Sequence, residues 1–222
     1  MRRMTSLRGP ALLATRLAVV GAIVVSTVAC AGVPDVLQGL GGAATPQQLN
    51  RPWQPQPMRP SAEIVAEADQ VCRKDIPFQP GLPLLVVDAR GEGRLQLFYG
   101  AGNVGTGECN GIFVGPDGTV KPGGGGSSGG ADAWQPIAGD ALRVHSIGWS
   151  GGDGAQEDER HVAGRAGALV ARVQVHVAGH AEPVEATVAN GWWAAWWPRG
   201  GACTRLVALD AAGAELSNVA SC

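Results

Sequence analysis

Residues 184–197, VEATVANGWWAAWW, constrain the fold more than any other stretch, because alternating side chains run into Asn190-Gly191 and out again. Asn-Gly is the dipeptide best suited to a two-residue hairpin turn, whose central positions both take positive φ. Such a turn predicts the register: Ala189 faces Trp192, Val188 faces Trp193, Ala186 faces Ala195 and Val184 faces Trp197. Strand side chains alternate between faces, so Val184, Ala186, Val188, Trp193, Ala195 and Trp197 share an apolar face. Trp192, Ala194 and Trp196 fall on the other with Glu185 and Thr187. Trp192 and Trp196, roughly 13 Å apart along the strand, form a candidate ligand platform if that face is open. If a second layer covers the face, they are core.

Much of the chain beyond residue 60 carries the same period. Leu169, Ala171, Val173, Val175 and Val177 alternate against Arg172, Gln174 and His176, which predicts a strand over residues 169–177 with a core face and a wet face. Residues 84–88, 94–99 and 108–114 read as a meander joined by the turn-rich DARGEG and GPDG segments. A final hairpin joins TRLVALD to AELS. One helix is expected over residues 61–74: Ser61 can cap it, Glu63 suits its positive end, and Ile64, Ala68, Val71 and Cys72 share one face. With 34 Gly and 15 Pro in 222 residues, turns and loops are abundant. The run KPGGGGSSGG, residues 121–130, reads by composition as a flexible surface loop. The expected fold is mostly β, an antiparallel β-sandwich-like domain with one N-terminal helix over residues 61–222, without a cofactor site.

The N-terminus reads as an address. Arg2, Arg3, Arg8 and Arg16 precede an uncharged run, residues 17–28, of the length of an export-signal core. Ala29 and Cys30 follow, and here the sequence resembles a bacterial lipoprotein signal, which implies lipidation of Cys30 and tethering to the outer face of the cytoplasmic membrane. Thr27 stands where leucine is usual in such signals. Two other readings stay open: ordinary cleavage at Ala29-Cys30-Ala31, releasing a soluble protein, and an uncleaved helix over residues 17–34. Residues 31–60, rich in Pro, Gln and Gly without apolar periodicity, read as a disordered tether that could reach roughly 90 Å if fully extended. Trp53 within it is expected to fold back onto the domain.

Setting Cys30 aside leaves Cys72, Cys109, Cys203 and Cys222, an even set that outside the cytoplasm is expected to pair. Four cysteines allow three connectivities, and chain order favours Cys72 with Cys109 and Cys203 with Cys222.

The segments VEATVANGWWAAWWP, VAGRAG before it and VALDAAG after it resemble the C-terminal part of uncharacterised exported proteins of actinobacteria. VVDARGEGRLQLFY, with Cys109 beyond it, is similar to an earlier stretch of the same proteins. The likeness implies an exported β domain in a high-GC Gram-positive envelope, in keeping with 15 Arg against two Lys. It implies no activity and no catalytic residues.

Charge excludes one class of partner. The formal charge is −2, and the chain beyond residue 30 carries 13 basic and 19 acidic residues, so nucleic acid is not expected. Gly100, Gly102 and Gly105 spell a dinucleotide fingerprint, but the next segment reads as a strand and not the helix that must meet a pyrophosphate. His145, His161, His176 and His180 read as solvated; His176 and His180 have a metal-binding spacing only on a helix. Ser146 and Ser150 lack nucleophile-elbow glycines. Asp153, Glu157, Asp158 and Glu159 read as a solvated acidic loop without EF-hand spacing. The expectation is a non-catalytic envelope module that binds or positions a partner, with a cell-wall glycan on Trp192 and Trp196 as the alternative.

Overall fold

Proline removes backbone donors, so a proline-rich segment stays ordered only where its remaining N–H and C=O groups find partners on a neighbour. Residues 42–60 do find them. The computed structural model describes residues 42–75, 81–101, 105–128, 134–150, 159–198 and 200–222. Thr45 opens the short helix α1 (Pro46–Leu49) with a capping box: its Oγ1 accepts from the Gln48 N–H, and Gln48 Oε1 accepts from the Thr45 N–H. Leu49 is buried, and the N–H groups of Gln54 and Met58 donate to the carbonyls of Arg90 and Ala89. Trp53 packs against the core and its indole N–H donates to the Trp196 carbonyl. The disordered tether expected over residues 31–60 is therefore corrected for residues 42–60; residues 31–41 lie outside the described residues. Composition hid this contact because the partners are backbone groups that no apolar pattern marks. Gly91 (φ 116°) makes part of it, since a Cβ there would meet the carbonyl oxygens of Arg51 and Pro52.

Helix α2 (Ala62–Asp75) begins where expected, with Ser61 Oγ accepting from the Ile64 N–H at 3.3 Å. Its buried face, Ile64, Ala68 and Cys72, packs on a sheet of β1 (Leu84–Ala89), β2 (Arg94–Ala101), β3 (Gly105–Val114), β4 (Val120–Lys121) and β5 (Gly124–Ser128). Its order is β1-β2-β3-β4, with β5 also pairing β3. The flexible loop expected over residues 121–130 is corrected here, because Gly124–Ser128 is a strand whose ladder runs from Asn110↔Gly124 to Thr106↔Ser128. Such a strand is held by backbone bonds, so composition alone reads as flexible. Residues 129 and 130 lie outside the described residues.

Two further antiparallel sheets follow, built from β6 (Leu142–Ser150), β7 (Glu159–Ala166), β8 (Arg172–Val177), β9 (Val184–Glu185), β10 (Thr187–Ala189), β11 (Trp192–Pro198), β12 (Cys203–Leu209) and β13 (Glu215–Ala220). The second sheet has the order β10-β11-β7-β6 and the third β13-β12-β8-β9. Asn190 and Gly191 take φ of 54° and 73°, and Ala189↔Trp192 and Val188↔Trp193 pair as the turn dictates. Beyond Thr187↔Ala194 the expected ladder ends. The strand bends at Ala186, and Val184 pairs with Val175 of the third sheet instead of Trp197. Face assignment survives the bend: Val184, Ala186, Trp193, Ala195 and Trp197 share one core. The alternation from residue 169 is shorter than expected. Leu169 sits in the turn before β8 and is 62% exposed, while Val170 takes a buried place.

The fold is thus mostly β, with antiparallel sheets packed in layers as expected. One core lies between α2 and the first sheet, a second between the first and second sheets, and a third between the second and third. Disulfides join Cys72 to Cys109, tying α2 to β3, and Cys203 to Cys222, closing the ends of the third sheet. Among the described residues no helix is long and apolar enough to cross a membrane. The apolar run over residues 17–28 and Cys30 lie outside them.

Candidate functional site

The second sheet is the middle layer, and this decides the fate of the tryptophans. Trp192 and Trp196, expected as an open platform, are 5% and 0% exposed. Trp192 packs with Val86 and Phe98 of the first sheet, with the Trp134 ring 5.2 Å away. Trp192 and Trp196 therefore form no open platform on which a sugar could stack across both rings, and of the two only Trp192 reaches the lining of a cleft between β3 and β6. The face they share is buried because the meander strands, not solvent, lie against it.

That seam between the first and second sheets is rich in polar groups. Residues of β1, β2 and β3 that face away from α2 include Asp88, Arg94, Gln96 and Glu108, and those of β7 facing them include Glu159 and His161. Gln96 Nε2 donates to Glu159 Oε1 at 3.0 Å, and Arg94 Nη1 donates to Glu159 Oε2 at 2.9 Å. Asp88 accepts two bonds from Arg90, at 2.7 and 3.1 Å, and a third from the Thr187 hydroxyl at 2.5 Å. Burial pushes the Asp88 carboxyl up, and Arg90, Thr187 and the Trp196 N–H offset part of that push. Arg90, equally buried, also donates to the carbonyls of Pro55 and Glu185. Two expectations are corrected here. Glu159, read as part of a solvated acidic loop, is fully buried, and so is His161, read as a solvated histidine.

At one end the seam opens into a cleft of about 240 Å³ between β3 and β6. Its lining includes Glu108 and Thr106 from β3, Phe98 and Tyr99 from β2, Ser146 from β6 and Trp192 from β11. A register shift in β6 between Val144 and Ser146 aims Ser146 inward, as bulges beside functional sites commonly do. Ser146 Oγ donates to Glu108 Oε2 at 2.7 Å. His161 Nε2 stands 3.5 Å from Glu108 Oε1. Gly148 makes room for that imidazole, since a Cβ there would overlap the ring. Burial pushes the Glu108 carboxyl up, but the imidazole, the Ser146 hydroxyl and Asn110 outweigh it and hold Glu108 below its ordinary value.

Comparison with protein-family models, curated proteins and solved structures gives no match. The site therefore rests on its own chemistry. The Ser146 proton is directed at a carboxylate of lowered pKa, a weak base, and not at an imidazole. Among the described residues no group of three or more His, Cys, Asp or Glu side chains converges on a metal position. The arrangement can accept hydrogen bonds and balance a charge. His176 lies half-buried on the outer side of β8, and His180 meets the Trp53 ring edge-on at 5.5 Å, so the cleft gathers neither. Sequence reasoning missed Glu108 and Thr106, which sit among glycines in GTGECNG and carry no motif.

Proposed function

We propose that this chain is an exported, membrane-tethered envelope protein whose folded part is a non-catalytic binding module working through the cleft between β3 and β6. The export signal with Cys30, the paired cysteines and the resemblance to exported actinobacterial proteins support the location. The observation that carries the binding reading is the cleft itself, a preformed concavity with an aromatic wall and a few converging polar groups. Ser146 is spent on Glu108, which favours recognition over bond making.

A photo-reactive residue at position 147 of the full chain, produced in intact cells of a high-GC Gram-positive host, tests this reading. Ile147 lines the cleft and is 55% exposed; Leu169, also exposed, does not line it and serves as the control. A discrete adduct at 147 with none at 169 is expected. No adduct, or the same adducts at both, contradicts the reading. Cys30→Ala should release the protein or stall its processing, whereas unchanged membrane retention contradicts lipid anchoring.

A further inference from the structure

We infer that the cleft between β3 and β6 holds an organic cation, an ammonium or guanidinium group, with Glu108 as its counter-charge. The inference rests on the reading of the cleft as a binding site and names the chemistry of its ligand. A carboxylate offers about four lone-pair sites on two oxygens. Ser146 occupies one on Oε2, Asn110 also bonds the carboxylate, and the His161 imidazole stands 3.5 Å from Oε1, beyond ordinary hydrogen-bond length, which leaves room for a further donor. Because Ser146 gives its only proton to Glu108, its oxygen is left as an acceptor. No Lys or Arg stands among the described lining residues, so an ammonium or guanidinium supplies donors and positive charge together beside that carboxylate and the lining rings.

Electrostatics point the same way. Glu108 is 23% exposed and backed by Phe98, Tyr99 and Trp192, so a pair formed there is less screened than one on the surface. The guanidinium groups nearest the lining rings are engaged elsewhere. Arg73 lies over Tyr99 but bonds Asp69 and the Leu82 carbonyl, and Arg165 lies over Trp192 but bonds the Gln135 carbonyl. Among the described residues His161 is the one basic side chain within 4.0 Å of the Glu108 carboxylate. An anionic ligand would meet that carboxylate directly.

The test uses the purified full chain, labelled with ¹⁵N and titrated with n-butylammonium and n-butylguanidinium, with butanol and butyrate as neutral and anionic controls. Saturable shifts centred on Thr106, Gly107, Glu108 and Ser146 are expected with the cations alone. Glu108→Gln should weaken them by about tenfold or more. Should that variant fail to fold, Thr106→Lys, which brings a resident ammonium into the cleft, should abolish the cation's effect while Glu108 remains. Two sources share this chemistry, a free amine and a lysine or arginine of a partner protein. Tighter binding of an acetylated, amidated Val-Lys-Val peptide than of butylammonium assigns the cation to a protein, and the reverse order to a small amine. Equal shifts with butanol, or shifts unchanged in the well-folded Glu108→Gln protein, overturn the inference. A position-147 adduct that forms equally in Glu108→Gln would leave the cleft a binding site while removing the cation from it.

Discussion

Trp193, Ala195, Trp197 and Val162 meet Val173, Val175, Val184 and Leu206 on one side of the middle sheet; on the other, Glu159, His161 and Thr187 meet Gln96, Arg94, Glu108 and Asp88. The first seam is an apolar core held by burial, which is non-directional and tolerates small slides and repacking. The second is fastened at named atoms. Each clasp needs its own donor opposite its own acceptor, so it contributes to a unique sheet-on-sheet register more than to net stability. The difference locates the candidate site. An apolar seam closes completely, whereas a polar seam can open at its end into a cleft where a carboxylate stays partly in contact with solvent.

The largest effects should come from the tryptophans, and they should be alike on the two sides. Trp193→Ala and Trp196→Ala each remove a fully buried indole and should cost about 3 to 5 kcal/mol in urea denaturation. A cost below about 1 kcal/mol for Trp196→Ala would break the comparison by opening the polar seam. Next comes the clasp beside it. Arg90→Met leaves Asp88 buried without its guanidinium and should cost about 3 to 5 kcal/mol, while the double variant Asp88→Leu, Arg90→Met should recover most of that loss. Additive losses would mean that the pair acts through packing and not through charge.

Removing Cys203 and Cys222 together as serines should lower stability by about 3 kcal/mol, and removing Cys72 and Cys109 by about 4 kcal/mol, on the chain-entropy model. The sequence separations that set this order are 19 and 37 residues. Alkylation of any of the four without reductant would contradict the pairing. The smallest effect belongs to the mouth of the cleft and depends on pH. Because Glu108 titrates below its unfolded-state value, it stabilises the fold above that value, and the contribution is lost as the pH falls through its folded-state pKa. The stability of Glu108→Gln should therefore lie below that of the parent at neutral pH and converge with it in acid. A gap that stays constant into strong acid contradicts the assignment.

The apolar seam was legible in the sequence and the polar one was not, for a definite reason. Asn190-Gly191 sets its own register through positive φ, and Val173, Val175 and Val177 announce a buried face by alternation. Asp88, Gln96, Glu159 and His161 occupy the polar phase of the same alternation. That phase looks identical whether it meets water or a second sheet. What decides is a partner far away in the chain, 63 residues from Gln96 to Glu159 and 99 from Asp88 to Thr187. The same limit hid the cleft, which needs Glu108 of one sheet beside Ser146 of another. Pairing of the cysteines followed chain order because Cys72 on α2 lies over β3 and Cys222 returns beside β12.

Burial of β7 and β11, the inner strands of the middle sheet, on both faces is the claim on which the corrected tryptophan assignment and the cleft both depend, and fluorine NMR tests it directly. With 5-fluorotryptophan at all seven positions, assigned by single substitutions, the shift on exchanging H₂O for D₂O reports the contact of each ring with solvent. Trp149, 68% exposed, should show the full effect, and Trp192 and Trp196 should show as little as Trp193 and Trp197. A solvent shift at Trp196 matching that of Trp149 would contradict the account, because the face assigned to the polar seam would then be open to water.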